Sequence, residues 1–403
     1  MSVLPGEPTR EPTREPTREP TRDFRPIAPA DVVLVGVGAI GRELVAQLTR
    51  ARHARGLPVR VCGLADRSGF LLDPRGLSRR RLAAAVALKA AGRPLTDAPG
   101  AHAGDVCDAL DAAVRHAPSR PILVDATAAD TGTALERALA AGFDLVLANK
   151  VPLAAPQAAY DRLWAVARTH GRVLLHEATV GAGLPVIDTL RKLLDAGDRV
   201  RSIEGCPSGT LGYLFGELGR GRAFSDALRH AVAAGYAEPD PRIDLSGLDV
   251  ARKALILARG LGFRGELGAV AVESLVPPAL CELSVEAFLA RAGELDAAWA
   301  ARAREAAARG RVLRYRARVT ARSIRVGLVA ASAGDPLGAL HGTDNQFAFR
   351  TMRYDQQPLV ITGPGAGPAV TAAGVLTDVL RLAAPRGTPA PGRAARRSVP
   401  ACA

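Results

Sequence analysis

The stretch Gly36-Val37-Gly38-Ala39-Ile40-Gly41 constrains the fold of this chain more than any other. It follows the apolar, β-type run Asp31 to Val37 and opens the helical pattern Glu43 to Arg50, so it reads as strand, tight turn, helix. In such a turn the first glycine permits the reversal, the second lets a pyrophosphate approach the backbone, and the third lets the helix lie against the strand. The anion then rests at the helix N-terminus, where Ala39 and Ile40 form the first turn. A turn that is only structural is the plainer reading of the same residues.

Further apolar runs repeat the pattern. Val59 to Leu64 ends at Asp66, Ile122 to Val124 leads into Asp125-Ala126-Thr127, Leu145 to Leu147 leads to Asn149-Lys150, and Val173 to Leu175 leads to His176-Glu177. Helical segments lie between them, which predicts an open parallel sheet with ligands beyond the strand C-termini. Asp66 is placed to accept a hydrogen bond from an adenosine ribose, which favours NAD. Arg67 beside it suits the extra phosphate of NADP, so the cofactor is left as NAD or NADP. Thr127 and Lys150 fall at the edge where the nicotinamide end belongs.

After Gly183 the character changes. Helical segments around Leu184 to Leu194, Gly212 to Leu218 and Ser225 to Ala234 precede a proline-punctuated loop from Ala237 to Leu245. The runs Val312 to Val319 and Ile324 to Val329 predict an antiparallel sheet carrying a dimer interface. The segment Leu359 to Ile361, the turn Gly363 to Gly367 and the helix Val370 to Leu382 read as a return to the first domain. The expected class is therefore α/β, a Rossmann-type parallel sheet domain over 27–183, completed by 363–384, plus a second α+β catalytic and dimerisation domain over 184–362. Glu-Pro-Thr-Arg, repeated four times from Glu7 to Arg22, makes 1–26 a disordered tail, because proline removes backbone donors. The Arg/Pro-rich 385–403 reads the same way.

No apolar run reaches the ~18 residues of a membrane span and no signal pattern opens the chain, so a cytoplasmic protein without membrane contact is expected. The net charge is +13, but the arginines are dispersed and no zinc-finger or RNP-type motif accompanies them, so no nucleic-acid partner is expected. Five scattered cysteines make neither a disulfide framework nor a zinc site. One compositional fact is sharper: of 53 Lys and Arg residues only four are Lys, at positions 89, 150, 192 and 253. Lysine can surrender a proton where arginine cannot, so each lysine in this background is a candidate for chemistry.

Two segments gather polar groups. His176-Glu177-Ala178-Thr179-Val180-Gly181-Ala182-Gly183-Leu184 can turn carbonyls and one carboxylate inward toward a hard cation, or be a tight turn; His176 itself reads as a structural, hydrogen-bonded residue. The stretch from Gly235 to Lys253 brings Glu238, Asp244 and Asp249 toward Lys253. Ser246 and Asp249 fit a capping box, and Asp249 and Lys253 fit an i,i+4 surface pair. The same constellation can bind a substrate ammonium and exchange a proton with an alcohol.

These residues resemble homoserine dehydrogenases from about Asp31 to Leu382. The likeness is carried by VGVGAIG from Val35, LANK ending at Lys150, HEATVGAGLP from His176, GCPSGTLGYLF from Gly205, GYAEPDPRIDLSGLDVARK from Gly235, GTDNQFAFRT from Gly342 and GPGAGPAVTAAGV from Gly363. The resemblance implies NAD(P)-dependent interconversion of L-homoserine and L-aspartate 4-semialdehyde by a homodimer or homotetramer. It implies that Lys150 and Lys253 are catalytic, with Asp249 supporting Lys253. Glu238 and Asp244 would hold the substrate amine, and Gly209, Thr210 and Tyr236 would line its site. Glu177 through its side chain, with carbonyls of Val180, Ala182 and Leu184, would match a sodium site, and Gly365 would close over the cofactor. With the likeness ending near Leu382, no regulatory ACT domain is expected. The Cys206-Pro207 pair departs from the usual pattern. Two rivals remain open: an aldehyde-oxidising dehydrogenase with Cys206 as nucleophile, and a dinucleotide-sensing protein without chemistry.

Overall fold

A computed structural model describes residues 28–55 and 58–384. Both expected tails, with the Glu-Pro-Thr-Arg repeats, lie outside the described residues.

The first layer runs β1 (Ala30–Val35), α1 (Ala39–Arg55), β2 (Val59–Asp66), β3 (Gly69–Leu72), α2 (Arg79–Ala90), β4 (Ala101–His102) and α3 (Val106–Val114). It continues through β5 (Ile122–Asp125), α4 (Gly132–Ala140), β6 (Asp144–Leu147), α5 (Val151–Ala154), α6 (Gln157–Thr169) and β7 (Leu174–Leu175). These strands form a seven-stranded sheet in the order β4-β3-β2-β1-β5-β6-β7. β1 is buried at every residue, as a strand covered on both faces must be. β2, β1, β5, β6 and β7 run parallel. The expectation of a wholly parallel sheet is corrected at one edge, where β3 and β4 are antiparallel. The cause is local: the Asp66 carboxylate accepts the amide and hydroxyl of Ser68, an Asx-type turn that sends the chain straight back. From β1 the order proceeds to β2 on one side and β5 on the other, and that reversal opens a crevice at the strand C-termini.

The second layer contains α7 (Val186–Asp195), β8 (Val200–Cys206), α8 (Gly209–Gly219), α9 (Phe224–Ala233), α10 (Arg242–Leu245), α11 (Leu248–Gly260) and β9 (Ala271–Val272). It ends with α12 (Val285–Arg291), α13 (Asp296–Ala308), β10 (Arg311–Val319), β11 (Ile324–Ser332), β12 (Asp344–Thr351) and β13 (Leu359–Pro364). Its six-stranded sheet has the order β13-β12-β8-β10-β11-β9. β10 and β11 pair antiparallel from Arg311 with Ser332 to Val319 with Ile324, as the alternating sequence suggests. Helices α8, α11 and α13 cover one face. The opposite face carries Glu204, ion-paired to Arg316 at 2.9 Å and Arg318 at 3.3 Å.

Leu359 to Ile361 does not return to the first sheet. It belongs to β13, which alternates in exposure and pairs with β12 along its length, so the return begins only at α14 (Pro368–Ala383). There Ala372, Val375 and Val379 join Val32, Leu34 and Leu44 in one apolar core. Among the described residues no helix is long and apolar enough to cross a membrane.

Candidate active site

The glycine turn behaves as its spacing requires. Gly36 has φ +93°, and a Cβ there would meet the Ala126 carbonyl carbon at 2.8 Å and Thr127 Cγ2 at 2.9 Å. A Cβ on Gly41 would lie 2.0 Å from the Gly36 carbonyl oxygen, whereas one on Gly38 would meet no protein atom within 4 Å. The space over Gly38 belongs to a cavity of about 690 Å³ whose walls include Gly36, Arg42, Asp66, Arg67, Lys89 and Thr127. A cavity of this size at the α1 N-terminus fits a dinucleotide. Asp66 and Arg67 stand in it as expected, but Asp66 is not free. Lys89 pairs with it at 2.8 Å. Burial opposes ionisation of Asp66, yet the Lys89 and Ser68 hydrogen bonds outweigh it and hold its carboxyl below the usual range. Lys89 was one of four lysines, and that scarcity was the only signal pointing to it. Gly365 is tied elsewhere, its carbonyl accepting Asn345 Nδ2 at 3.2 Å.

At the strand ends a buried polar hub orders the next residues. The Asp125 carboxylate, 0% exposed, accepts Thr127 Oγ1 at 2.7 Å, Thr131 Oγ1 at 2.6 Å and Asn149 Nδ2 at 2.9 Å. Asn149 in turn accepts the Val151 amide at 3.0 Å, fixing the start of α5. Every partner of this buried carboxylate is a donor, so the charge is compensated and Thr127 and Lys150 are set on adjacent strand ends. Neither Asp125 nor Asn149 was singled out as a site residue, since an Asp or Asn after an apolar run reads as an ordinary turn.

Lys150 reaches across to the second layer. Its Nζ lies 3.0 Å from Asp249 Oδ1, and Lys253 Nζ lies 2.8 Å from Asp249 Oδ2, so one carboxylate bridges both lysines. Burial pushes the Asp249 carboxyl up, but the charges of Lys253 and Lys150 outweigh it and hold it well below the usual carboxylate range. Lys253 also donates to the Pro207 carbonyl at 2.7 Å, which ties the unusual Cys206-Pro207 loop into the site. The capping-box expectation for Ser246 and Asp249 is corrected. Gly247 precedes α11 with φ +74° and no side chain caps the helix; Ser246 instead ends α10. Asp249, freed from capping, has only the lysines.

Beside this bridge, the single Thr210 hydroxyl proton lies between two acceptors, the Tyr236 carbonyl at 2.6 Å and Asp244 Oδ1 at 3.0 Å, and the Glu238 amide donates to Asp244 Oδ2 at 2.9 Å. Burial pushes the Asp244 carboxyl up, and the charges of Glu238 and Asp249 add in the same direction. A half-buried carboxylate with two acidic neighbours creates a demand for a cation at Asp244. Gly209 opens α8 here against Thr343, whose carbonyl oxygen lies 2.8 Å from where a Cβ would stand.

Cys206 is 3% exposed and packs with Leu337 and Leu340. Burial pushes its thiol up to about 12, so it offers no thiolate at neutral pH. Cys206→Ser is expected to keep kcat within about threefold, and a loss above ~100-fold in initial rate would restore the nucleophile reading. His176 is half-buried, its pKa pushed down to about 4 by desolvation, and its Nδ1 lies 3.3 Å from Thr179 Oγ1, the structural role expected of it. Glu177 is committed as well. Its two carboxylate oxygens accept the Ile187 and Asp188 amides at 2.8 Å each, at the start of α7. Each carboxylate oxygen keeps a second lone pair beyond its one amide bond, so these contacts orient the carboxylate within the loop expected to hold a cation. Among the described residues no group of three or more His, Cys, Asp or Glu could hold a metal ion. A larger cavity of about 960 Å³ between α6, α7 and α11 borders His176 and Glu177 and contains neither Lys150 nor Lys253.

Comparison with known proteins agrees with this geometry. A family model described as homoserine dehydrogenase matches residues 185–380, and one described as homoserine dehydrogenase, NAD binding domain, matches residues 36–177. A bifunctional aspartokinase/homoserine dehydrogenase of Zea mays is 39% identical over 89% of this chain and 39% of its own. A homoserine dehydrogenase of Emericella nidulans is 37% identical over 88% of this chain and 98% of its own. The chain thus spans about two-fifths of the bifunctional relative's length and nearly all of the fungal one. A solved hyperthermophilic archaeal homoserine dehydrogenase mutant in complex with NADPH superposes with a TM-score of 0.68 at 25% identity, covering 87% of this chain and 97% of that one.

Proposed function

Because the chain belongs to the homoserine dehydrogenase family, we propose that it interconverts L-homoserine and L-aspartate 4-semialdehyde. The glycine turn with Asp66, Arg67 and Lys89 would hold a nicotinamide dinucleotide, which would supply or accept the hydride. The observation that carries this reading is the carboxylate of Asp249 on α11 bridging Lys253 of the same helix and Lys150 of the first layer, just beyond β6.

The substrate ammonium binds at Asp244 and Glu238, where clustered acids favour a cation. Thr210 and the backbone at Tyr236 keep the Asp244 carboxylate turned toward it. In the reducing direction Lys253, held by Asp249 and the Pro207 carbonyl, gives its proton to the substrate oxygen as the aldehyde becomes an alcohol. In the oxidising direction the same amine takes that proton back. Lys150 shares the Asp249 carboxylate and orients the substrate from the first domain. Ordering the reactants in one crevice supplies much of the rate, since a bimolecular encounter is replaced by a held geometry. Purified protein mixed with L-homoserine and NAD or NADP should show nicotinamide absorbance growing at 340 nm; saturable dinucleotide binding with no turnover would favour the sensing rival instead.

The adenosine end supports NADP over NAD. Lys89 neutralises Asp66, the group that would otherwise repel a 2′-phosphate, and Arg67 adds a second positive charge to the cavity wall. Charge-assisted contacts of this kind are lost with either side chain, so Arg67→Ala and Lys89→Ala are each expected to raise KM for NADP by ~10-fold or more while moving KM for NAD by less than ~3-fold. Parallel shifts in both constants would remove the phosphate role. A homodimer or homotetramer through the face of the second sheet that bears Glu204, Arg316 and Arg318, in the cytoplasm, completes the reading. Light scattering of the purified protein gives the subunit count.

A further inference from the structure

Helix α11 carries Asp249 and Lys253 near its start and Arg259 near its end. Arg259 is 6% exposed, and two of its three hydrogen bonds go to the first layer. Its Nη1 donates to the Leu153 carbonyl at 2.7 Å, and its Nη2 donates to the Ala155 carbonyl at 2.8 Å and the Gly265 carbonyl at 3.1 Å. The guanidinium carbon stands 4.6 Å from the centroid of the Tyr160 ring. Leu153 belongs to α5 and Ala155 caps its end, and α5 begins at the residue after Lys150. The other end of α5 is held by Asn149, which accepts the Val151 amide.

A buried guanidinium is costly unless its environment compensates it; here three carbonyls and a ring serve its two terminal nitrogens in place of a carboxylate, while Nε is buried without a partner. A lysine could not span the three carbonyls in the same way, because its three donors share one nitrogen, whereas the planar fork spreads its donors over separate nitrogens. The placement ties α5 to α11 directly. Along α5 the tie reaches Lys150, and along α11 it reaches Asp249 and Lys253.

We propose that Arg259 is a positioning residue for the reaction centre: by clasping the end of α5 to α11 it keeps the Lys150 amine on the Asp249 carboxylate that also holds Lys253. This rests on the proposed roles of those three residues. Arg259 touches neither substrate nor cofactor, and it acts only through Lys150.

The test uses the full chain in four forms: parent, Arg259→Lys, Lys150→Met and the double variant. Misplacing a reacting group by about 1 Å costs on the order of 100-fold, so Arg259→Lys is expected to lower kcat with homoserine by ~10- to 100-fold and to leave KM for the dinucleotide unchanged. In the Lys150→Met background the same change should cost less than ~3-fold, since the group being positioned is gone. Equal losses in both backgrounds overturn the proposal, because an effect spread over the fold would not depend on Lys150. A second readout needs no turnover. Competitive amine labelling followed by mass spectrometry resolves each of the four lysines. Labelling of Lys150 should rise severalfold in Arg259→Lys relative to Lys192, whose side chain is 71% exposed. Unchanged labelling overturns the clasp, whereas a parent protein inert toward homoserine overturns only the activity proposed for it. If Arg259→Lys fails to fold, Tyr160→Leu removes just the ring beneath the guanidinium and should give the same pattern with a smaller loss.

Discussion

Lys253→Arg is expected to fold like the parent and to lose about 10³-fold or more in kcat with homoserine, the upper part of the range for removing a general acid–base group. The substitution keeps the positive charge, and a guanidinium still reaches Asp249. What it removes is proton exchange, since arginine stays charged at any working pH. The larger planar group also cannot reproduce both short contacts of the amine, 2.8 Å to Asp249 and 2.7 Å to the Pro207 carbonyl. Circular dichroism and a thermal melt separate this from unfolding. A variant that melts normally and retains a tenth of the parent rate would take the proton role away from Lys253 and leave it a salt-bridge partner only.

The second large effect separates two glycines of one turn. Gly41→Ala puts a methyl where the Gly36 carbonyl oxygen is 2.0 Å away, so α1 must move off β1. Overpacking against backbone of this kind costs roughly 1–3 kcal/mol or more, and a lowered melting temperature should accompany loss of dinucleotide binding. Gly38→Ala meets no protein atom within 4 Å, so the melting temperature should hold. Its methyl instead enters the space where a pyrophosphate approaches the helix N-terminus, and dinucleotide Kd should rise by ~100-fold or more. Calorimetric titration with NADPH and thermal melts of both variants give the comparison. Tight binding by Gly38→Ala would mean that the cavity over this turn takes some other ligand.

Much of the first layer was legible because its signals are local. The glycine turn, the apolar runs and the acid ending β2 each depend on neighbours in sequence. β3 and β4 were missed since Gly69–Leu72 and Ala101–His102 are too short for a period of two to register. The lysines of the site stood out against an arginine-rich background, and the acids near Lys253 together with the family resemblance turned that contrast into an assignment of Lys150 and Lys253. The capping box failed for a tertiary reason: a Cβ on Gly247 would lie 2.0 Å from the Tyr315 hydroxyl, so a positive-φ glycine starts α11 and releases Asp249. Glu177 was assigned to a cation loop, and only the fold reveals that its carboxylate serves the α7 amides. Arg259 was invisible for the opposite reason to the lysines. One arginine among so many carries no mark, and its burial against three carbonyls is a property of packing alone.

The helix that closes the first apolar core is the last one among the described residues. Val32 and Leu34 of β1 meet Val375 and Val379 of α14 in a single cluster. On the ribosome, therefore, the strands of the nucleotide-binding half wait with one flank uncovered while the whole second sheet is synthesised, and only α14 seals it.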